Sequence, residues 1–145
     1  MAWVIFDNFM LKQHNGSPVD WDTDTLKIML ITATRAPVQA TDATMSDIDN
    51  NEVSGTNYSA GGTTLANASA GLAAGTVKLD GDDQVFSQSA GGFTDARYGV
   101  LYKSTGNPAT DIPICYADFG GDKGNVAGDR TLQMDADGII AITNA

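Results

Sequence analysis

Apolar and polar residues alternate along much of this chain in short runs, and each run ends in Gly, Asn, Asp, Ser or Pro. The strongest run, Thr25-Leu26-Lys27-Ile28-Met29-Leu30-Ile31-Thr32, is nearly continuous in apolar residues and predicts a core strand covered on both faces. Residues 96–103 place Tyr98, Val100 and Tyr102 on one face of a second strand, and Ile112-Pro113-Ile114-Cys115-Tyr116-Ala117 predicts a third. Val77 and Leu79 alternate with Thr76 and Lys78, after which Asp80-Gly81 predicts a hairpin turn into Gln84-Val85-Phe86-Ser87. Residues 130–134 and 139–143, joined by Asp135-Ala136-Asp137-Gly138, predict a closing hairpin.

Residues 55–62 and 63–68 read as short strands around a glycine bend. Residues 35–54 are polar and read as a loop, in which Thr44-Met45-Ser46-Asp47-Ile48 has the makings of one helical turn. From Trp3 to Gln13 the apolar positions Val4, Phe6, Phe9 and Met10 fit neither period, which leaves a short helix and an extended arm both open. About eight short strands with turns between them, and no alternating helices, predict an all-β fold. The expected architecture is an antiparallel β-sandwich or jelly-roll-like barrel carrying a short N-terminal helix or arm, with no repeat of fixed period.

Length and composition sharpen this picture. A chain of 145 residues has the size of one domain, so residues 1–145 are expected to share one core. No apolar run approaches the roughly 18 residues of a spanning helix, and the apolar start meets Asp7 and Asn8 too soon for a signal peptide. The expectation is a soluble protein made in a reducing cytoplasm, with no membrane partner. Of the 18 acidic residues all but Glu52 are Asp, a residue of turns and caps rather than helices. A net charge of −10 repels phosphate backbones, so nucleic acid is not an expected partner. Cys115 is the sole cysteine and sits in a strand pattern, as a buried hydrophobe would.

Candidate chemistry is sparse. His14 is the only histidine and lies before the turn Asn15-Gly16-Ser17-Pro18, without the convergent partners that catalysis needs. Nothing near Cys115 in sequence would lower its pKa. Asp47-Ile48-Asp49-Asn50-Asn51 begins like a calcium loop, but Glu52 replaces the turn glycine and Tyr58 the closing carboxylate. Asp80-Gly81-Asp82-Asp83 and Asp135-Ala136-Asp137-Gly138 read more simply as turns, and one Cys with one His cannot furnish a zinc site. Gly61-Gly62-Thr63-Thr64 lacks the lysine and spacing of a phosphate loop. No enzyme activity, metal or cofactor is expected. Trp3, Phe6, Phe9 and Trp21 either complete the core or anchor a partner.

Five blocks carry a resemblance. Asp20-Trp21-Asp22-Thr23-Asp24-Thr25-Leu26-Lys27-Ile28-Met29-Leu30, Ser46-Asp47-Ile48, the stretch from Glu52-Val53-Ser54-Gly55 through Tyr58 to Gly61-Gly62, Ala96-Arg97-Tyr98-Gly99-Val100-Leu101-Tyr102 and Asp135-Ala136-Asp137-Gly138-Ile139-Ile140 follow one another over nearly the whole chain. In that order and spacing the chain resembles a family of small structural proteins of tailed bacteriophages. The resemblance implies a capsid cement or decoration protein, whose partner is the major capsid protein and whose address is the outer capsid surface. Proteins of similar size are also tail or head-tail components. It implies no catalytic residues.

Physical argument adds to the implied role. The charge disfavours the DNA-packed interior of a head and favours its outside. Decoration by weak contacts gains from avidity, which predicts a homo-oligomer, dimer or trimer. The expected contact elements are the N-terminal arm, with Trp3, Phe6 and Phe9, and the polar loop that begins at Arg35. Deleting residues 2–9 is then expected to abolish capsid binding and leave a folded domain. The competing reading is a carbohydrate- or receptor-binding module with aromatics stacked on a sugar.

Overall fold

A computed structural model describes residues 1–144. In chain order the elements are β1 (Trp3–Ile5), α1 (Asp7–Lys12), β2 (Leu26–Thr32), β3 (Thr63–Thr64), β4 (Ser69–Ala73), β5 (Thr76–Asp80), β6 (Gln84–Phe86), β7 (Ala96–Lys103), β8 (Ile112–Lys123), β9 (Arg130–Leu132) and β10 (Ile140–Thr143). Two 3-10 turns, Met45–Asp47 and Asp49–Asn51, lie between β2 and β3. Strand accounts for 37% of the chain and helix for 8%, which makes the fold all-β and sandwich-like.

The strands form three antiparallel sheets, ordered β1-β8-β7-β2-β3, β10-β5-β4 and β6-β9. The long apolar run became β2, placed inside the largest sheet between β7 and β3. Its residues are buried on both faces, Leu26, Ile28 and Leu30 on one and Met29 and Ile31 on the other. Leu26, Ile28, Met29 and Ile31 join the principal core, which spans the chain from Phe6 to Ile140. Leu30 joins a smaller one with Val53, Phe86, Phe93 and Ala96. There Phe86 and Phe93 meet nearly perpendicular, with centroids 5.7 Å apart, the geometry their quadrupoles favour.

Both hairpin expectations need correction. β5 pairs with β4 and β10, and β6 pairs with β9, so Asp80-Gly81 does not close a hairpin. The β4–β5 hairpin turns instead at Ala74-Gly75, with φ of 48° and 79°, the mirror-image turn that matches strand twist. The chain ending at β9 likewise does not fold back on itself. Asp135 to Gly138 is a turn, closed by the Gly138 N–H on the Asp135 carbonyl at 2.9 Å, but it carries the chain into the three-stranded sheet.

Residues 55–62 are also not strand. They bend through Asn57, Gly61 and Gly62 at positive φ, and only Thr63–Thr64 is extended into the sheet. The loop with one helical turn is present as expected at Met45–Asp47, where Thr44 and Asp47 form a capping box.

The N-terminal segment divides between the two expectations. Trp3–Ile5 is extended and Asp7–Lys12 helical, with Phe6 in extended geometry at the junction. Asp7 in the first turn and Lys12 in the last complement the helix dipole. The extended part is not a free arm, because β1 pairs with β8 through Trp3–Ala117, Val4–Tyr116 and Ile5–Cys115.

Candidate functional site

The residues expected to form a contact arm are largely structural. Phe6 is 0% exposed, with its ring 5.3 Å from Tyr116, and Phe9 is also buried, so neither can reach a partner without opening the core. Trp3 is half-buried on the edge strand, and its indole Nε1 is the one buried side-chain polar atom without a hydrogen-bond partner among the described residues. Arg35 is committed within its own loop: its guanidinium forks onto buried Asp42, with Nη1 to Oδ2 at 2.9 Å, and Asp42 also accepts the Val38 N–H at 2.8 Å. Trp21 is buried and donates its Nε1–H to the Asp80 carbonyl at 2.8 Å, which removes it as a stacking platform.

Many of the aspartates hold backbone N–H groups. Asp20 accepts the Asp22 and Thr23 N–H groups, and these contacts, with the Thr23 side chain foremost, lower its pKa. Asp47 accepts the Thr44 and Ala43 N–H groups and is lowered for that reason. Asp118 is lowered by Arg97, whose Nε donates to it at 2.6 Å, and by the Gly120 N–H. Asp83 and Asp129 accept the N–H groups of Met134 and Gln88. Among the described residues no group of three or more His, Cys, Asp or Glu side chains is arranged to hold a metal ion. His14 is exposed beside α1, whereas Cys115 is fully buried and its thiol pKa is pushed up by burial.

Two polar constellations escaped the sequence reading. Glu52 Oε1 accepts both the Tyr58 hydroxyl and the Gly61 N–H at 2.7 Å, while Tyr58 in turn accepts the Leu30 N–H at 3.0 Å. Tyr102 donates to the Gly61 carbonyl at 2.6 Å. This network fastens the 52–62 loop onto β2 and β7 and borders a recess of about 220 Å³, lined in part by Lys27, Asp49, Glu52 and Asp111. The second constellation is centred on Asn125, which is 0% exposed. Its Oδ1 accepts the Phe93 N–H at 2.9 Å, and its Nδ2 donates to the carbonyls of Ser87 and Thr56. A lone Glu and a lone Asn in polar stretches give no sequence signal, because their partners lie up to 69 residues away.

The remaining surface feature is apolar. Paired residues in adjacent strands share a face, so Leu72, Val77 and Ile142 form one row across the three-stranded sheet, with Ala70, Leu79 and Ile140 in the next. Leu79 and Ile140 are buried, but the outer row is open: Leu72 is 75% and Ile142 56% exposed. Between this face and α1 runs a groove of about 400 Å³, lined by Ile5, Phe9, Met10, His14, Leu79 and Ile142 among others. No carboxylate lines it.

Among the described residues no helix is long and apolar enough to cross a membrane. A scan against protein-family models matches none, and searches of curated proteins and of solved structures give no significant match.

Proposed function

We propose that this chain is a non-enzymatic virion structural protein that binds the outer surface of a phage capsid, cements the major capsid protein shell, and acts as a homo-oligomer. The observation that carries this reading is the convergence of the blocks on which the phage resemblance rests. Leu30 of the first, Glu52, Tyr58 and Gly61 of the third, and Tyr102 of the fourth meet in one hydrogen-bonded network. The second block supplies the 3-10 turn that precedes it. Blocks separated by tens of residues therefore pack as one folded unit.

The commitment of Arg35 to Asp42 and of most aspartates to the chain's own backbone N–H groups, with Cys115 inert in the core, leaves surface contact as the means of action. A net charge of −10 suits the outside of a DNA-filled head better than the inside. Bridging neighbouring capsid subunits stabilises the shell by mass action, since the module binds the assembled state and not the separated subunits.

Imaging particles with and without the protein tests the reading, paired with heat challenge of both. Added density across the head and a higher disruption temperature are expected. Density at one vertex or along the tail would instead make it a connector or tail component. Unchanged particles of unchanged stability would overturn it.

A further inference from the structure

We infer that the apolar face of the three-stranded sheet, with the groove beside α1, is the surface on which a second copy of this chain docks. Leu72, Val77 and Ile142 stand in one row at the open end of the sheet, and Met10, 48% exposed, forms the opposite wall of the groove. Seven large hydrophobic side chains are strongly exposed among the described residues, and Met10, Leu72 and Ile142 of these meet around this one sheet and groove. A contiguous exposed apolar face is a mark of association.

Charge selects the occupant. The molecule carries −10, yet residues 53–77, which supply β4 and the start of β5, contain no charged side chain, and no carboxylate lines the groove. A basic partner would be drawn to the aspartate-rich turns instead. A partner as acidic as this chain can approach closely only where both surfaces are neutral, and a second copy is such a partner.

Shape agrees with charge. The same face presents a projecting side chain, Leu72, and an apolar recess able to receive it, so a two-fold axis lets each copy supply both knob and hole. Face-to-face packing of the two sheets at about 10 Å gives this arrangement. Edge-to-edge pairing through β4 is obstructed, because the Asp22 carboxylate already accepts the outward Ala70 N–H at 2.8 Å.

The inference specifies the self-association in the proposed function but rests on the surface alone, and it is tested without particles. Sedimentation equilibrium of the purified chain is expected to show a monomer–dimer equilibrium with a dissociation constant on the order of tens of micromolar, since the face is small for an interface. Leu72→Asp and Ile142→Asp should each weaken it at least about 10-fold by placing charge in the contact. Circular dichroism should remain that of the wild type, because both side chains are mostly exposed in the single chain. Val85→Asp, on β6 of another sheet, should change nothing. Added salt should tighten the dimer by screening like charge. A wild-type chain that stays monomeric to about 1 mM, well above the expected constant, would overturn the inference. So would a dimer that salt weakens, or one that Val85→Asp disrupts as strongly as Leu72→Asp does. Failure to decorate particles, with the dimer intact, would overturn the capsid reading and leave this one standing.

Discussion

Asn125 and Gly62 illustrate how single residues hold the loops of this fold in place. Asn125→Ala strands the buried Phe93 N–H and the Ser87 carbonyl at once, and leaving such groups unpaired costs about 3 kcal/mol. Thermal unfolding should register this as a fall of about 10 °C in Tm for a chain of this size. Asp118→Asn at the exposed Arg97 pair should leave the midpoint within error, because surface ion pairs contribute little. The adjacent glycines make a second contrast. A Cβ on Gly62, at φ +76°, would lie 1.9 Å from the Ile28 carbonyl oxygen, so Gly62→Ala should prevent folding. Gly61, at φ +83°, has room for a Cβ and should lose only about 1 kcal/mol on the same change. The sequence marks the pair as a bend, but cannot say which glycine lies against β2. That depends on Glu52, Tyr58 and Tyr102, whose meeting is long-range.

At the scale of elements, composition and alternation locate strands far better than they pair them. β2, β7 and β8 are legible because each buries a long run of apolar and β-branched or aromatic residues. The hairpins were not. Asp80-Gly81 has the chemistry of a tight turn, whereas the turn that closes a hairpin is Ala74-Gly75, whose alanine at φ 48° carries no such signal. Partner choice between β5, β6, β9 and β10 is settled by which apolar faces can share a core, and spacing along the chain does not encode that. The N-terminal segment follows the same logic. Its apolar residues suit an exposed arm as well as a core strand, and only the pairing of β1 with β8 decides between them. Deleting residues 2–9 removes an edge strand together with Phe6 and Phe9 from the principal core. The truncated chain should therefore be largely unfolded by circular dichroism and rapidly degraded by protease, and a cooperative unfolding transition in it would refute this role for the segment.

Over the whole molecule, the way ionisable groups are held predicts a stability profile with two edges. Asp20 and Asp47 have pKa values below the ordinary 3.8 because hydrogen bonds favour their charged forms. Their contribution is present above the unfolded pKa and is lost as pH falls below about 4. Cys115 and the tyrosines act in the opposite direction. Burial raises the Cys115 thiol well above 9.0 and the Tyr102 phenol to about 12, and burial beside Glu52 raises Tyr58 further. Groups held neutral in the fold contribute fully below their unfolded pKa and lose that contribution as pH rises towards the folded value. Urea unfolding should thus show a plateau between about pH 5 and 8.5, then a decline of about 1.4 kcal/mol per pH unit per proton released. The first decline belongs to Cys115 and the steeper one above about pH 10 to Tyr58 and Tyr102. Cys115→Ala separates these contributions. It should lower stability across the plateau by leaving a small cavity, yet delay the alkaline edge by about one pH unit. An edge unmoved by that substitution would mean that growing negative charge on the whole molecule, and not deprotonation of Cys115, drives the first alkaline decline. The two causes respond differently to salt, because screening protects against repulsion between surface charges and does little for a thiol or phenol sealed in the core.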